Sequence, residues 1–289
     1  VTVSGDDLIV TPAWVEARLG EDGFHVIDCA VRFQPRPVGS SIIHSCRDAY
    51  LKAHIPGAAY MHMVDDLSDP EGAYAFTIAP QSQIDRVLSA AGVRAGDIVV
   101  VYGNSDGTPV AVPRAWWVLA VSGVADVRIM DGGLRRWQAE GRDVASGEEI
   151  LTPSTFNGVR DSDAIADRTE VAEAIMGDAL LINALSREQH AGTGGSHYGR
   201  PGHIPGSTNI PAFEVLDPAT GDFASAAAIR AALADIDLDQ PVITYCGGGI
   251  AAAVTLFGMR VAGYEKLRLY DNSLLEWSTE PDLPMKMDR

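Results

Sequence analysis

One thiol stands where the chain could do covalent chemistry. Cys246 closes the apolar run PVITY and is followed by Gly247, Gly248 and Gly249, then Ile250, Ala251 and the helical stretch AAAVTLFGMR. Glycines let the backbone turn tightly and aim consecutive N–H groups inward as an anion nest. A helix starting directly afterwards adds the positive end of its dipole. A thiol in such a cradle is expected to be held as thiolate and to act as a nucleophile. The amides of Gly247 to Ala251 would stabilise negative charge on the sulfur or its adduct. Two plainer readings compete with this: an inert packed cysteine, or a glycine turn that binds a phosphate.

Such a turn belongs at the carboxyl end of a strand in an open α/β sheet, and the chain supplies that sheet twice. AHIPGA (53–58) returns as GHIPGS (202–207), with His54 and His203 149 residues apart. Ahead of each lies an apolar strand, HVIDCA around Asp28 and LLINAL around Asn183; after each lies another, IVVVYG and PVITYC. VRIMDGGLRRW (127–137) and LRLYDNSLLEW (267–277) close the copies, with Asp131 and Asp271, and Trp137 and Trp277, each 140 apart. Short apolar strands alternate with the helical stretches TPAWVEARL, SQIDRVLSAAG and AWWVLAVSG, then TEVAEAIMG, SAAAIRAALAD and AAVTLFGMRVAG. The pattern predicts α/β architecture: two tandem domains, each a mainly parallel sheet flanked by helices. The boundaries read as residues 1–145, a polar linker over 146–167, and 168–289. Aligned on Tyr102 and Tyr245, the loops GNSDGTP (103–109) and CGGGIAA (246–252) differ, and Gly103 stands opposite Cys246.

Composition narrows the function classes. Of 289 residues, 22 are Lys or Arg and 39 are Asp or Glu, a formal net charge of −17. Such a surface repels phosphate backbones and anionic lipid, so neither nucleic acid nor membrane is an expected partner. No apolar stretch approaches the roughly 18 residues of a membrane helix. Three cysteines, an odd number, argue against a disulfide framework, and the absence of CxxC, HxxxH and HExxH argues against a structural zinc site. With no targeting segment in view, a soluble cytoplasmic protein is the expectation. Cys29 reads as packing, Cys46 as loop filler or a resolving thiol, and Trp116, Trp117, Trp137 and Trp277 as core. Asp131 and Asp271 are expected to fix turns.

Together, HIPG in both halves, DGGLRRW and YDNSLLEW, and a loop cysteine confined to the second half resemble the tandem-domain rhodanese-like sulfurtransferases. The resemblance spans nearly the whole chain. It implies two rhodanese-like domains, the first inactive and the second catalytic. Cys246 would take a sulfane sulfur from thiosulfate or 3-mercaptopyruvate, both small anionic donors, and carry it as a persulfide to a thiophilic acceptor. Cyanide, a thiol, or a thioredoxin-like protein are the acceptors implied, with no metal and no organic cofactor. Phosphatase relatives place an arginine six positions after the cysteine to clamp a phosphoryl group. Here that position is Ala252 and the next arginine is Arg260, so a phosphatase or arsenate reductase is disfavoured.

Departures from the family pattern concern donor binding. Where mercaptopyruvate enzymes read CGSGVT, this chain has Gly248 and Ala251; thiosulfate enzymes carry basic residues in the loop, and this loop has none. The usual DAR or DSR becomes Asn183, Ala184, Leu185, and Gln189 takes the place of an anion-binding arginine. Each lost group is expected to weaken ground-state binding of an anion by about 1–3 kcal/mol. Arg187, His190, His197 and Arg200 are the candidates to replace them, or else plain surface groups. Relatives bring the histidine equivalent to His54 beside the catalytic loop, where Asp48 could orient it; His203 is expected to bond backbone. Alternative roles are a protein-to-protein sulfur relay, in which stripped binding groups mean that sulfur arrives from a partner protein, or a catalytically weak scaffold.

Overall fold

The computed structural model describes residues 5–103 and 110–288; most of the loop aligned with the cysteine loop, 104–109, lies outside the described residues. The chain forms two compact units. One comprises Val1–Phe33, Ile43–Pro70 and Ile78–Asp161; the other comprises Ser162–Arg289 together with two pieces of the first half, Gln34–Ile42 and Glu71–Thr77.

In the first unit the strands are β1 (Ile9–Val10), β2 (Phe24–Asp28), β3 (Val31–Gln34), β4 (Ile42–Ser45), β5 (Ala59–Tyr60), β6 (Ile98–Tyr102) and β7 (Asp126–Met130). Its helices are α1 (Pro12–Glu16), α2 (Arg47–Tyr50), α3 (Gln81–Ala90), α4 (Ala111–Val121) and α5 (Gly133–Ala139). Five strands form one sheet in the order β1-β7-β6-β2-β5, every pair parallel, while β3 and β4 make a separate ribbon. The second unit has strands β8 (Ile165–Ala166), β9 (Leu180–Asn183), β10 (Thr208–Asn209), β11 (Val242–Tyr245) and β12 (Leu267–Tyr270). Its helices are α6 (Arg168–Ala174), α7 (Arg187–Ala191), α8 (Ala226–Ala232), α9 (Ile250–Val261) and α10 (Ser273–Trp277). The order β10-β9-β11-β12-β8 repeats that of the first sheet, again all parallel. The duplication read in the sequence is therefore a duplication of topology, and the six helical stretches each fall on a helix.

Local signals account for the element starts. Thr11 accepts the Trp14 N–H and Pro12 opens α1 with its preset φ. Asp167 and Glu170 close a capping box on α6, and Ser186 and Gln189 close another on α7. The central strands are apolar because both faces are covered: Val99 to Tyr102 and Val242 to Tyr245 are buried throughout. Every residue of α4 is buried, as is almost all of α9. Trp116, Trp117, Trp137 and Trp277 lie in the core as expected. Gly258 lets α9 press against the 3₁₀ turn Ala212–Val215, for a Cβ there would lie 2.6 Å from Val215 Cβ.

The polar stretch 146–167 divides in two. Residues up to 161 run along the first unit: Ser154 and Phe156 N–H donate to the Ser89 carbonyl and hydroxyl at 2.8 and 2.9 Å, and Asp161 N–H to the Val121 carbonyl at 2.8 Å. Residues 162–167 already open the second unit, where Ile165–Ala166 is an edge strand. Among the described residues, no helix is long and apolar enough to cross a membrane.

Candidate active site

Cys246 follows directly on β11, the middle strand of the second sheet, and is buried together with Gly247, Gly248 and Gly249. Gly249 takes φ +78° as the N-cap of α9, a conformation that costs glycine little. Ile250 and Ala251, the first helical residues, are partly exposed and form the open side of the loop. The first N–H groups of a helix have no carbonyl of their own helix to meet, so the start of α9, three residues after Cys246, offers free donors and a positive dipole end.

A second turn fixes the loop from below. Ser273 opens α10 at φ +51°, an uncommon conformation for a residue with a Cβ. Its hydroxyl donates to the Tyr270 carbonyl at 2.7 Å and accepts the Cys246 N–H at 3.0 Å. The Leu274 and Leu275 N–H groups donate to the carbonyls of Cys246 and Gly247 at 3.1 and 2.8 Å. Three hydrogen bonds thus hold two residues of the loop, which leaves the cysteine little backbone freedom.

Aromatic rings lie directly on the glycines. A Cβ on Gly247 would fall 1.9 Å from Cζ of Tyr198, and one on Gly248 would fall 2.8 Å from Leu275 Cδ1 and 3.2 Å from the Phe76 ring. Phe76 belongs to the piece 71–77 and is held at φ +69°, buried; its neighbour Thr77 donates to Asn272 Oδ1 at 2.8 Å. A bulky residue in the left-handed region is an outlier of the kind found where a loop must be shaped for a task. Tyr198 is hydrogen-bonded to Gln189, and burial beside Cys246 pushes its phenol up, so it stays a neutral donor. Tyr245, beneath the thiol, is pushed up to about 12 by burial; its hydroxyl accepts the Ile204 N–H at 3.0 Å and meets Ser207 Oγ at 2.7 Å.

The other residues singled out in the sequence separate here. Gln189 closes the cap of α7, donates through Nε2 to the Ser196 carbonyl at 2.9 Å and bonds Tyr198, so it acts on the loop through that ring. Arg187 is exposed and paired with Glu214. Arg200 does not reach the loop: its guanidinium donates to the carbonyls of Trp277, Ser278, Glu280 and Leu283 and ties down the end of the chain. Nδ1 of His197 meets the Gly199 carbonyl at 2.8 Å. His190 stacks on His203 at 3.7 Å, and burial with that neighbour lowers its pKa. Among the described residues none of these four bonds to the cysteine loop. His203 bonds backbone as expected, through Nδ1 to the His190 carbonyl at 2.8 Å.

His54 also departs from expectation. It is fully buried within the first unit, stacked on Tyr50, with Nδ1 on the Tyr50 carbonyl at 2.7 Å and Nε2 on Glu149 at 3.2 Å. Both ring nitrogens are committed to structure. Its carboxylate partner is Glu149, not Asp48, which is exposed. Asp131 pairs with the Arg136 side chain rather than serving its turn through backbone amides alone. Cys29 is buried beside Asp28, and burial pushes its thiol well up, which keeps it inert. Sequence reasoning passed over Ser273, Tyr198 and Phe76; only the DNS-for-DGG difference between the copies marked the first of them.

A model of the rhodanese-like domain matches residues 11–140 and again 168–280. The chain belongs to the rhodanese-like family. A putative thiosulfate sulfurtransferase, SseB of Mycobacterium tuberculosis, is 32% identical over 243 residues, 82% of this chain and 84% of that protein. A probable 3-mercaptopyruvate sulfurtransferase of Pseudomonas aeruginosa is 30% identical over 285 residues, 96% of this chain and 97% of that protein. The crystal structure of SseA from Escherichia coli, a 3-mercaptopyruvate enzyme, shares the fold with a TM-score of 0.78 at 26% identity, covering 92% of this chain and 98% of the other. This rhodanese-like protein is accordingly an enzyme of the sulfurtransferase class, with two rhodanese-like domains in tandem.

Proposed function

We propose that the enzyme takes a sulfane sulfur from a small donor of the thiosulfate or 3-mercaptopyruvate kind and passes it, through a persulfide on Cys246, to a thiophilic acceptor such as a thiol or cyanide. The Cys246 thiolate attacks the outer sulfur of the donor, whose remaining part leaves as sulfite or as the pyruvate enolate. The acceptor then attacks the outer sulfur of the persulfide and restores the thiolate. The observation that carries this reading is the position of Cys246: alone at the end of the central strand, at the mouth of α9, with its backbone held by Ser273, Leu274 and Leu275. Amides of Gly247 to Ala251 would hold the charge that develops on sulfur in both steps.

Donor binding would rest on neutral groups. Arg187 and Arg200 are paired with Glu214 and with backbone carbonyls, which leaves the Tyr198 hydroxyl, the loop amides and the apolar side chains of Phe76 and Leu275 packed on Gly248. That set favours a second reading, in which a persulfidated protein rather than a small anion supplies the sulfur. Intact mass after exposure to thiosulfate, to 3-mercaptopyruvate, and to a persulfidated carrier protein distinguishes them. A gain of one sulfur with a small donor, absent in Cys246→Ser, supports the first reading. A gain only from the carrier supports the relay. No gain from any of the three refutes the persulfide.

A further inference from the structure

Outside the cysteine loop, the second unit gathers three metal-ligating side chains that are far apart in sequence. One ligand atom from each of His190, His203 and Asp288 lies within 4.8 Å of the others. Both imidazoles are buried, and the Asp288 carboxylate is half exposed, 3.5 Å from His190 Nδ1. Nδ1 of His203 is spent on the His190 carbonyl, so its Nε2 carries the lone pair. That is the arrangement in which a backbone carbonyl sets the tautomer of a ligating histidine. The His190 ring bonds the Ser207 backbone, and its Nδ1 faces Asp288.

The first unit is an internal control. There Tyr50 stacks on His54 at 4.1 Å and its carbonyl receives His54 Nδ1 at 2.7 Å, as His190 does for His203. The Leu51 carbonyl accepts the Gly147 N–H at 2.8 Å, just as the Ala191 carbonyl accepts the Asp288 N–H at 3.0 Å. Tyr50 therefore corresponds to His190, and Gly147 to Asp288. Tyr50 satisfies its hydroxyl on the Ala58 carbonyl at 2.7 Å. Passing from the first unit to the second, a phenol becomes an imidazole and a glycine becomes a carboxylate. The first change adds a metal ligand, and the second supplies from Asp288 the carboxylate that Glu149 supplies to His54 in the first unit.

We propose that His190, His203 and Asp288 form a binding site for a divalent transition-metal ion, zinc in the first place, which clamps the segment 286–288 onto the turn at His203. Two imidazoles and one carboxylate suit zinc with water as fourth ligand, and disfavour calcium and magnesium, which take oxygen ligands. Closing on the ion needs the two rings, stacked 7° from parallel, to tilt until their lone pairs converge, together with rotation of the half-exposed Asp288. The clamp would reinforce bonds already joining the same segments, the reciprocal His203–Lys286 backbone pair at 2.9 Å each way.

The test is calorimetric titration of zinc ion into the metal-stripped full chain carrying Cys46→Ser and Cys246→Ser, so that these thiols do not compete. Binding of one equivalent is expected, with a melting temperature that rises with zinc concentration. His190→Tyr installs the residue that the first unit shows to fit, and should fold yet lose the site. Asp288→Asn, on the exposed tail, should weaken zinc by at least about tenfold without altering the apo melting temperature. No stoichiometric binding, or binding unchanged in both variants, overturns the proposal. Because Cys246 is already absent, the outcome is independent of the sulfur-transfer reading.

Discussion

The two units share a sheet order and even individual hydrogen bonds. The Leu134 N–H meets the Gly103 carbonyl at 3.0 Å where the Leu274 N–H meets that of Cys246 at 3.1 Å, and Tyr102 and Tyr245 receive the N–H groups of Ile55 and Ile204. What differs is what each frame has room for. A Cβ on Gly103 would lie 2.9 Å from Val112 Cγ2, and one on Gly133 would lie 2.4 Å from the Gly103 carbonyl oxygen. Cys246 and Ser273 occupy the matching places in the second unit. A thiol or a serine at these places of the first unit would press on the Val112 methyl and on the Gly103 carbonyl oxygen. The two copies thus share a frame and differ in the groups it holds at these places.

Breaking this contrast most completely is Cys246→Ser, which should abolish sulfur loading in the mass measurement. Moving the thiol to the first unit as Gly103→Cys, in that same background, should not restore any, because the new side chain meets Val112. Next in size is Ser273→Gly, which gives the second unit the residue of the first. The positive φ is then unstrained, so thermal stability should change by less than about 1 kcal/mol, while the unanchored Cys246 amide slows sulfur loading by roughly ten- to a hundredfold. An unchanged loading rate would show that Ser273 only fills the turn.

Asp28 and Asn183 sharpen the comparison from the other side. Each accepts an N–H two residues on, at 2.8 and 3.0 Å, but burial raises the Asp28 carboxyl from 3.8 to about 6. A raised folded-state pKa means that its stabilising contribution is full below about pH 4 and is lost as the pH climbs through 6. Asp28→Asn should therefore be neutral at pH 4 and stabilise the chain by about 1–3 kcal/mol at pH 7, measured by denaturant titration. A gain equal at both pH values would refute the buried-carboxylate origin. Smallest is Tyr198→Phe, expected to raise the donor KM by about fivefold through loss of about 1 kcal/mol of hydrogen bonding, with kcat little changed. A fall in kcat alone would instead place the hydroxyl on the transition state.

Much of this was legible before any coordinates. The repeat landmarks HIPG and DGGLRRW/YDNSLLEW carried the tandem architecture, because apolar strands buried on both faces and amphipathic helices are marked by local pattern. Cys246 was legible for the same reason: strand, thiol, glycines and helix are contiguous. The histidines and arginines were not. Arg200 looked available beside the site, yet four carbonyls between residues 277 and 283 consume its donors. His54 looked poised for a cleft, yet Tyr50 and Glu149 hold it.

By itself, then, the amino-acid sequence determined the fold class and the duplication, and it singled out the thiol for which we propose the chemistry, since each rests on neighbours a few residues apart. Tertiary structure alone decided what surrounds that thiol: Tyr198 on Gly247, Phe76 on Gly248, Ser273 under Cys246, and the pairing of His190 with Asp288. The reason is that a polar or aromatic side chain takes its role from whichever distant segment folds against it. A periodicity of two or of 3.6 residues carries no record of that partner.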